Sequence, residues 1–305
     1  MIINNTIKSK NIGLSNKSFA ILLILPSIFL IGFILIYPLF QSIIFSFKYY
    51  HLTDPNNTKF IFFQNFEFLI KDKIFWESFK NTGIFIFFSI LGSFIIGLSL
   101  ALVLNQKIIF QKFFRGIFIT PWVVPGVVVS LLFLYMFNSE VGIINYILKK
   151  FHIISEFIPW FGGRGSTAMI AVIIANIWNQ FPFYMLMFLA NLQTIPKDII
   201  EAAEIDGANT FKKFSHITLP YLKNVILITT TLMIIWNFNN FDIIWTTTKG
   251  GPVNTTTTFS IYTYLMAFRN FDIGYASAIG VVWLLVLLLF SFFYIKILER
   301  GSVEY

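Results

Sequence analysis

An all-α, polytopic membrane protein with six transmembrane helices is the fold class that the sequence predicts, and three observations predict it. Mean hydropathy is +0.77 and only 12% of the 305 residues are charged, so the medium that solvates most of the chain is lipid. Six stretches without Asp, Glu, Lys or Arg reach the length of about 18 residues that a helix needs to cross the hydrocarbon core. No water reaches a backbone inside that core, and a helix satisfies its own peptide groups within one segment.

In chain order, residues 1–18 form an N-terminal tail bearing Lys8, Lys10 and Lys17. The first span, about 19–47, is too long for a secretory h-region and has no small-residue cleavage site before Pro38. It reads as an uncleaved anchor bent at Pro26 and Pro38. Further spans are expected at about 82–105, 116–138, 167–192, 220–241 and 273–296, within a transmembrane domain of residues 19–300 that leaves a short tail at 301–305. Gly250 to Phe268 is also free of charge, but its start, "GGPVNTTTTFS", reads as a loop leading into a short interfacial helix.

With the N terminus inside, twelve of the 22 Lys and Arg residues fall on the inner side and ten in the longer outer loops. The denser positive charge inside places both termini in the cytoplasm. The net charge of +8 is spread singly or in pairs between apolar runs, which fits topology control and not a nucleic-acid stripe. The absence of Cys excludes disulfides and thiolate chemistry, and His51, His152 and His216 are too scattered to form a ligand cluster. With no nucleophile–base or metal constellation, the chain reads as a non-enzyme. The 39 Phe, with abundant Ile and Asn, fit a biased genome better than an aromatic function.

The most regularly charged segment, "EAAEIDGANTFKKFSHITLP", lies in the inner loop at 194–220. Pro196 suits a first helical turn, Asp198 suits its positive end, and Gly207 suits a left-handed cap. Asn209 or Thr210 then caps a second helix with Phe211, Phe214 and Ile217 at helical spacing, ending at Pro220. The small side chains of Ala202 and Ala203 let a partner approach the backbone, and Glu201 offers a charged anchor.

Polar side chains in lipid are costly and normally face the bundle interior or a wet cavity. In "NIWNQFPFYM", Asn176, Asn179, Gln180 and Phe183 share one helical stripe, with Pro182 nearby to distort it. In "MIIWNFNNFDII", Met233, Trp236, Asn237 and Asn240 form a second stripe, while Asn239 points elsewhere. Amides together with aromatic faces suit a neutral, hydroxyl-rich solute, although Asn and Gln also serve as bonds between helices. No fixed charge lies deep in a span, so an anionic solute needs a cation from another subunit. Neither "KGGPVNTTTT" nor "GGRGST" has the Lys-Ser/Thr ending of a nucleotide cradle.

Glu201-Ala202-Ala203, three residues, Gly207, nine residues, then Ile217-x-Leu219-Pro220 resembles the EAA loop of binding-protein-dependent ABC importer permeases. The stretches "ILPSIFLIGFILIYPLFQSIIFSF", "FRGIFITPWVVPGVVVSLLFLYMFN" and "TTTKGGPVNTTTTFSIYTYLMAFRNFDIGYASA" extend the likeness over roughly Phe19 to Arg300, toward compact six-span permeases of the maltose and glycerol-phosphate type. The resemblance implies a type I ABC importer permease fold in a bacterial or archaeal cytoplasmic membrane. It also implies half of a pathway for a mono-, di- or oligosaccharide, with glycerol-3-phosphate or another polyol as the alternative cargo. An ATP-independent secondary transporter is the remaining rival, and the chain shows neither an intramembrane acid or His for ion coupling nor inverted repeats.

The implied partners are a second homologous permease subunit, two copies of an ATPase subunit that bind Mg-ATP, and an external solute-binding protein; no cofactor is expected in this chain. Carried over by position, Glu201, Ala202, Ala203, Asp206, Gly207, Ile217, Leu219 and Pro220 couple to the ATPase. Asn176, Gln180, Phe183, Met233, Trp236, Asn237 and Asn240 hold the substrate. Gln180 and Met233 depart from the small residues expected at their positions, which alters the shape of the pocket.

Overall fold

The computed structural model describes residues 16–106, 108–162 and 167–301; the outermost parts of both expected tails and most of "GGRGST" lie outside them. Helix α1 (Asn16–Ile31) runs through Pro26 and passes by a π-helical turn at Gly32–Ile36 into α2 (Tyr37–Ser46), so Phe19–Ser46 is one long apolar helix. The irregularity sits before Pro38 for a simple reason. Proline has no N–H for the carbonyl four residues back, and the wider turn, closed by Tyr37 N–H on Gly32 O, accommodates it.

A two-stranded antiparallel ribbon, β1 (Lys48–Tyr49) with β2 (Lys59–Phe60), and α3 (Gln64–Lys71) follow. Helix α4 (Lys73–Leu104) starts well before the expected second span, because the Asp72 side chain caps it by accepting from Ile74 N at 2.8 Å.

The third expected span is a bent pair, α5 (Gln111–Val123) and α6 (Gly126–Met136), meeting at 96°. Pro125 causes the break by forcing Val124 into an extended conformation (φ −71°, ψ 126°) and by denying Pro121 O its helical partner. Helix α7 (Ile143–Lys150) lies in the next loop, before α8 (Thr167–Leu192), the most buried of the five long apolar helices. The inner loop forms α9 (Lys197–Ile205) and α10 (Thr210–Lys213), then a π-helical turn at Phe214–Thr218 leads into α11 (Leu219–Phe238). Pro220 demands that turn as Pro38 demands the first. Thr210–Phe238 is therefore one continuous helix, not the separate loop helix and span read from the sequence. Helices α12 (Asp242–Thr248) and α13 (Phe259–Tyr264) flank the Gly/Thr loop, and α14 (Ile273–Gly301) closes the chain.

Helices α4, α5, α6, α11 and α12 all pack on α8. The α4 contact is the closest, because Ser89, Ser93, Gly97 and Ala101 present a small residue every four positions, all buried. A Cβ on Gly97 would lie 2.5 Å from Tyr184 Cβ and 2.9 Å from Met185 N, so only glycine permits this approach. One buried cluster gathers Phe85, Phe133, Phe137, Val172 and Ile244; another gathers Leu104, Tyr184, Phe188, Leu222 and Met233 toward the inner loop. From Phe19 to Ile31 every side chain of α1 is exposed.

Candidate functional site

Two groups of residues lie at opposite ends of α11. At its start, the inner loop is built as a stiff elbow. Pro196 is the residue preceding α9 rather than its first helical position, and Asp198 sits in the first turn. Gly207 adopts φ +76°, with Gly207 N donating to Glu204 O at 3.0 Å and Ala208 N to Ala203 O at 2.9 Å. This is a Schellman closure, which favours glycine because a Cβ is strained at that φ. Asn209 Oδ1 then accepts from Lys212 N at 2.9 Å and caps α10, and Lys213 Nζ bridges back to Glu204 Oε1 at 2.6 Å.

Glu201, Ala202, Asp206, Gly207, Leu219 and Pro220 are exposed, while Ala203 and Ile217 are partly covered. The most exposed large apolar side chains of the elbow are Ile205 (87%) and Phe211 (75%). Sequence reading placed Phe211 on a helical stripe and overlooked Ile205, although an isoleucine at the last position of a nine-residue helix, two residues before the glycine that closes it, has little protein to pack on. A cavity of about 490 Å³ behind the elbow is lined by Asn105, Gln193, Lys197, Glu201, Glu204 and Thr218 among others.

At the far end of α11 the four nominated amides meet in one chain across α8 and α11. Asn240 Nδ2 donates to Asn176 Oδ1 at 2.9 Å, Asn176 Nδ2 to Asn237 Oδ1 at 2.6 Å, and Asn237 Nδ2 to both Gln180 Oε1 and Met233 O at 2.8 Å. Asn176, Gln180 and Asn237 are buried, and Met233 is packed in the core. Gln180, the departure from the expected small residue, is what completes the chain. One acceptor, Asn240 Oδ1, is buried with no partner among the described residues.

Phe183 and Trp236 stand apart from the amides as a ring pair with centroids 5.1 Å apart. Asn179 takes a different part: its Nδ2 donates to Pro121 O at 2.8 Å and Val124 O at 3.3 Å, satisfying carbonyls freed by the break between α5 and α6. Among the described residues no cluster of three or more His, Cys, Asp or Glu could hold a metal ion.

Comparison with known proteins places this geometry. Residues 93–303 match the family described as binding-protein-dependent transport system inner membrane component. The chain is 33% identical over 288 residues to the sulfoquinovosyl glycerol transport system permease protein SmoG of Agrobacterium fabrum, covering 94% of this chain and 92% of that protein. It is 36% identical over 241 residues to the trehalose/maltose transport system permease protein MalF of Thermococcus litoralis, covering 78% and 79%. In fold it is similar to a chain of a bacterial ABC transporter involved in the import of the acidic polysaccharide alginate, with a TM-score of 0.81, 22% identity, and coverage of 93% and 96%. The largely helical architecture and the helices of membrane-spanning length thus have one explanation: the chain belongs to the binding-protein-dependent transport system inner membrane component family, as a non-catalytic ABC importer permease subunit.

Proposed function

We propose that this chain forms half of the translocation pathway for a sugar, paired with a second homologous permease subunit. Two copies of an ATPase subunit supply Mg-ATP hydrolysis, and an external solute-binding protein delivers the cargo. Both termini lie in the cytoplasm. The observation that carries the reading is the elbow at 194–220, which is exposed, closed on itself at Gly207 and continuous through Thr210–Phe238 with the helix that bears Met233, Trp236 and Asn237.

Glu201, Ala202, Ala203, Asp206 and Gly207 present the face that the ATPase grips, and Ile217, Leu219 and Pro220 join it to α11. Closure of the ATPase pair around nucleotide tilts the elbow, and the tilt shears α11 along α8. The amides of Asn176, Gln180, Asn237 and Asn240 bond to one another when the pathway is empty, which leaves Asn240 Oδ1 as the one acceptor of the four side chains that is buried without a partner among the described residues. Shear breaks those cross-helix bonds and frees the same groups for sugar hydroxyls beside Phe183 and Trp236. A neutral cargo is favoured over a phosphate ester because no cation contributes to the amide chain. The neutral trehalose and maltose named for MalF support the same choice, whereas the sulfoquinovosyl glycerol named for SmoG is a sugar that carries a sulfonate.

The test is transport by the reconstituted complex. Glu201→Lys should abolish uptake and sugar-stimulated ATP hydrolysis, and Asn240→Ala should weaken uptake about tenfold with the ATPase still copurifying. Normal coupled uptake by the Glu201 variant, in a fully assembled complex, refutes the lever.

A further inference from the structure

Between α4 and α8 lies a groove that neither the amide chain nor the elbow uses. Its volume is about 760 Å³, and apart from Lys80, Asn81 and Thr255 every residue lining it is apolar or glycine. The two helices close it at Gly92, where an added Cβ would lie 2.3 Å from Ile177 Cδ1. Its rim is open, with Phe88, Ile95, Ile170 and Ile174 between 40% and 53% exposed.

The order of side chains along the groove follows the membrane normal. Lys80 is the last charge before the charge-free run that begins at Asn81, so it marks the edge of the hydrocarbon core. Ile95 lies fifteen residues further along α4, or about 22 Å at 1.5 Å per residue, which matches one leaflet of a bilayer about 40–45 Å thick with its headgroups. The groove is thus charged at the interface, polar just beneath it and apolar for the rest of its depth.

The polar groups at its mouth are placed but not satisfied. Asn81 Nδ2 donates to Asn254 O at 2.8 Å and Thr257 O at 3.1 Å, which pins the Gly/Thr loop to α4 and sets Thr255 in the wall. The next three threonines of that loop find partners: Thr256 Oγ1 donates to Gly251 O at 2.9 Å, Thr257 Oγ1 to Gly250 O at 2.9 Å, and Thr258 Oγ1 pairs with Ser260 Oγ at 3.1 Å. Thr255 Oγ1 is buried with none among the described residues. Lys80 is exposed and forms no ion pair among them. A buried hydroxyl left unpaired is costly, so the site calls for an acceptor beside an anion.

We propose that this groove binds one glycerophospholipid of the leaflet on the Lys80 side, with its phosphate on Lys80, an ester carbonyl accepting from Thr255 Oγ1, and an acyl chain between α4 and α8. The lipid supplies what another occupant lacks. A transmembrane helix of a neighbouring chain has its peptide groups paired internally and brings no phosphate, and a hydroxyl-rich solute gains nothing from apolar walls. Because Asn81 joins the loop to α4, an occupied groove also steadies the Gly/Thr loop.

The experiment is native mass spectrometry of the purified, delipidated full complex, titrated with dioleoylphosphatidylglycerol or with monoglucosyl dioleoylglycerol, which has the same chains and no phosphate. Wild type is set against Lys80→Ala, Ile174→Trp and, outside the groove, Lys73→Ala. Loss of Lys80 should weaken phosphatidylglycerol about fivefold, the size of one basic contact at an anionic surface, and leave the glycolipid unchanged. Ile174→Trp, which fills the groove, should weaken both lipids, and Lys73→Ala neither. In proteoliposomes, phosphatidylglycerol with a diazirine midway along one chain should label residues 84–95 and 169–177. Wild-type phosphatidylglycerol binding by both groove variants overturns the proposal. Equal loss of both lipids in Lys80→Ala makes that lysine structural and overturns the phosphate contact. Capture of another chain of the complex by a benzophenone on Ile174→Cys, with no lipid label in the groove, shows that protein covers it and overturns the site.

Discussion

Asn237 spends both amide hydrogens and its carbonyl oxygen inside the protein, on Gln180, Met233 and Asn176. Bonds of this kind average about 0.6 kcal/mol in membranes, because the unfolded helices also find partners. A double-mutant cycle on Asn176→Ala and Asn237→Ala, read by unfolding in bicelles, should return a coupling of about that size. Gly97 behaves differently, since an added side chain meets backbone and not a movable tip. Gly97→Leu should cost roughly 1–3 kcal/mol or prevent folding, by the usual penalty for overpacking. Recovery of folded protein at wild-type yield and melting temperature would contradict the close α4–α8 contact. The amide stripes were legible from sequence because Asn and Gln are conspicuous among apolar residues. The small-residue repeat in "FSILGSFIIGLSLA" was equally present but had no composition contrast to mark it.

Two elements bear on the proposed lever. Gly207 at φ +76° closes the elbow, so Gly207→Val should cost about 1–2 kcal/mol locally and reduce ATP-coupled uptake more than ATPase binding. The continuity of α10 into α11 is the second device. Inserting two glycines between Thr218 and Leu219 should leave the complex assembled while uncoupling hydrolysis from uptake; coupling at the wild-type ratio would show that the lever lies elsewhere.

At the other end of the molecule, Asp72 accepts from the hydroxyls of Tyr262 and Tyr275, the latter at 2.7 Å, and ties the start of α4 to α13 and α14. Burial, followed by the adjoining Asp72 carboxylate, raises the Tyr262 phenol well above its ordinary value. A raised value means the folded protein keeps this proton. The contribution is fully present below the unfolded value near 10 and is lost as pH rises beyond it. Melting temperature should thus show no Tyr262-dependent change from pH 7 to 9 and fall above about pH 10, and Tyr262→Phe should lessen that fall.

For the whole molecule, the lack of any cysteine makes orientation directly measurable. Ile205 and Val253 are 87% and 83% exposed, at the elbow and in the Gly/Thr loop. In intact cells a membrane-impermeant maleimide should label Val253→Cys and should reach Ile205→Cys only after permeabilisation. The reverse pattern would invert the topology and remove the elbow from any cytoplasmic ATPase. Helix α1 is exposed from Phe19 to Ile31, an apolar surface that the described residues leave uncovered.

By itself the sequence determined where helices of membrane length occur, which loop is charged and punctuated, and which side chains are chemically out of place in lipid. Those properties follow from runs of hydropathy, from Pro and Gly at fixed offsets, and from side-chain type, all of which are local. Only the tertiary structure decided that the amides bond to one another and that Asn179 mends the break at Pro125. Each of these depends on which faces of α5, α8 and α11 come together, and helix packing is fixed by the fit of surfaces distant in the chain, such as Gly97 against Tyr184.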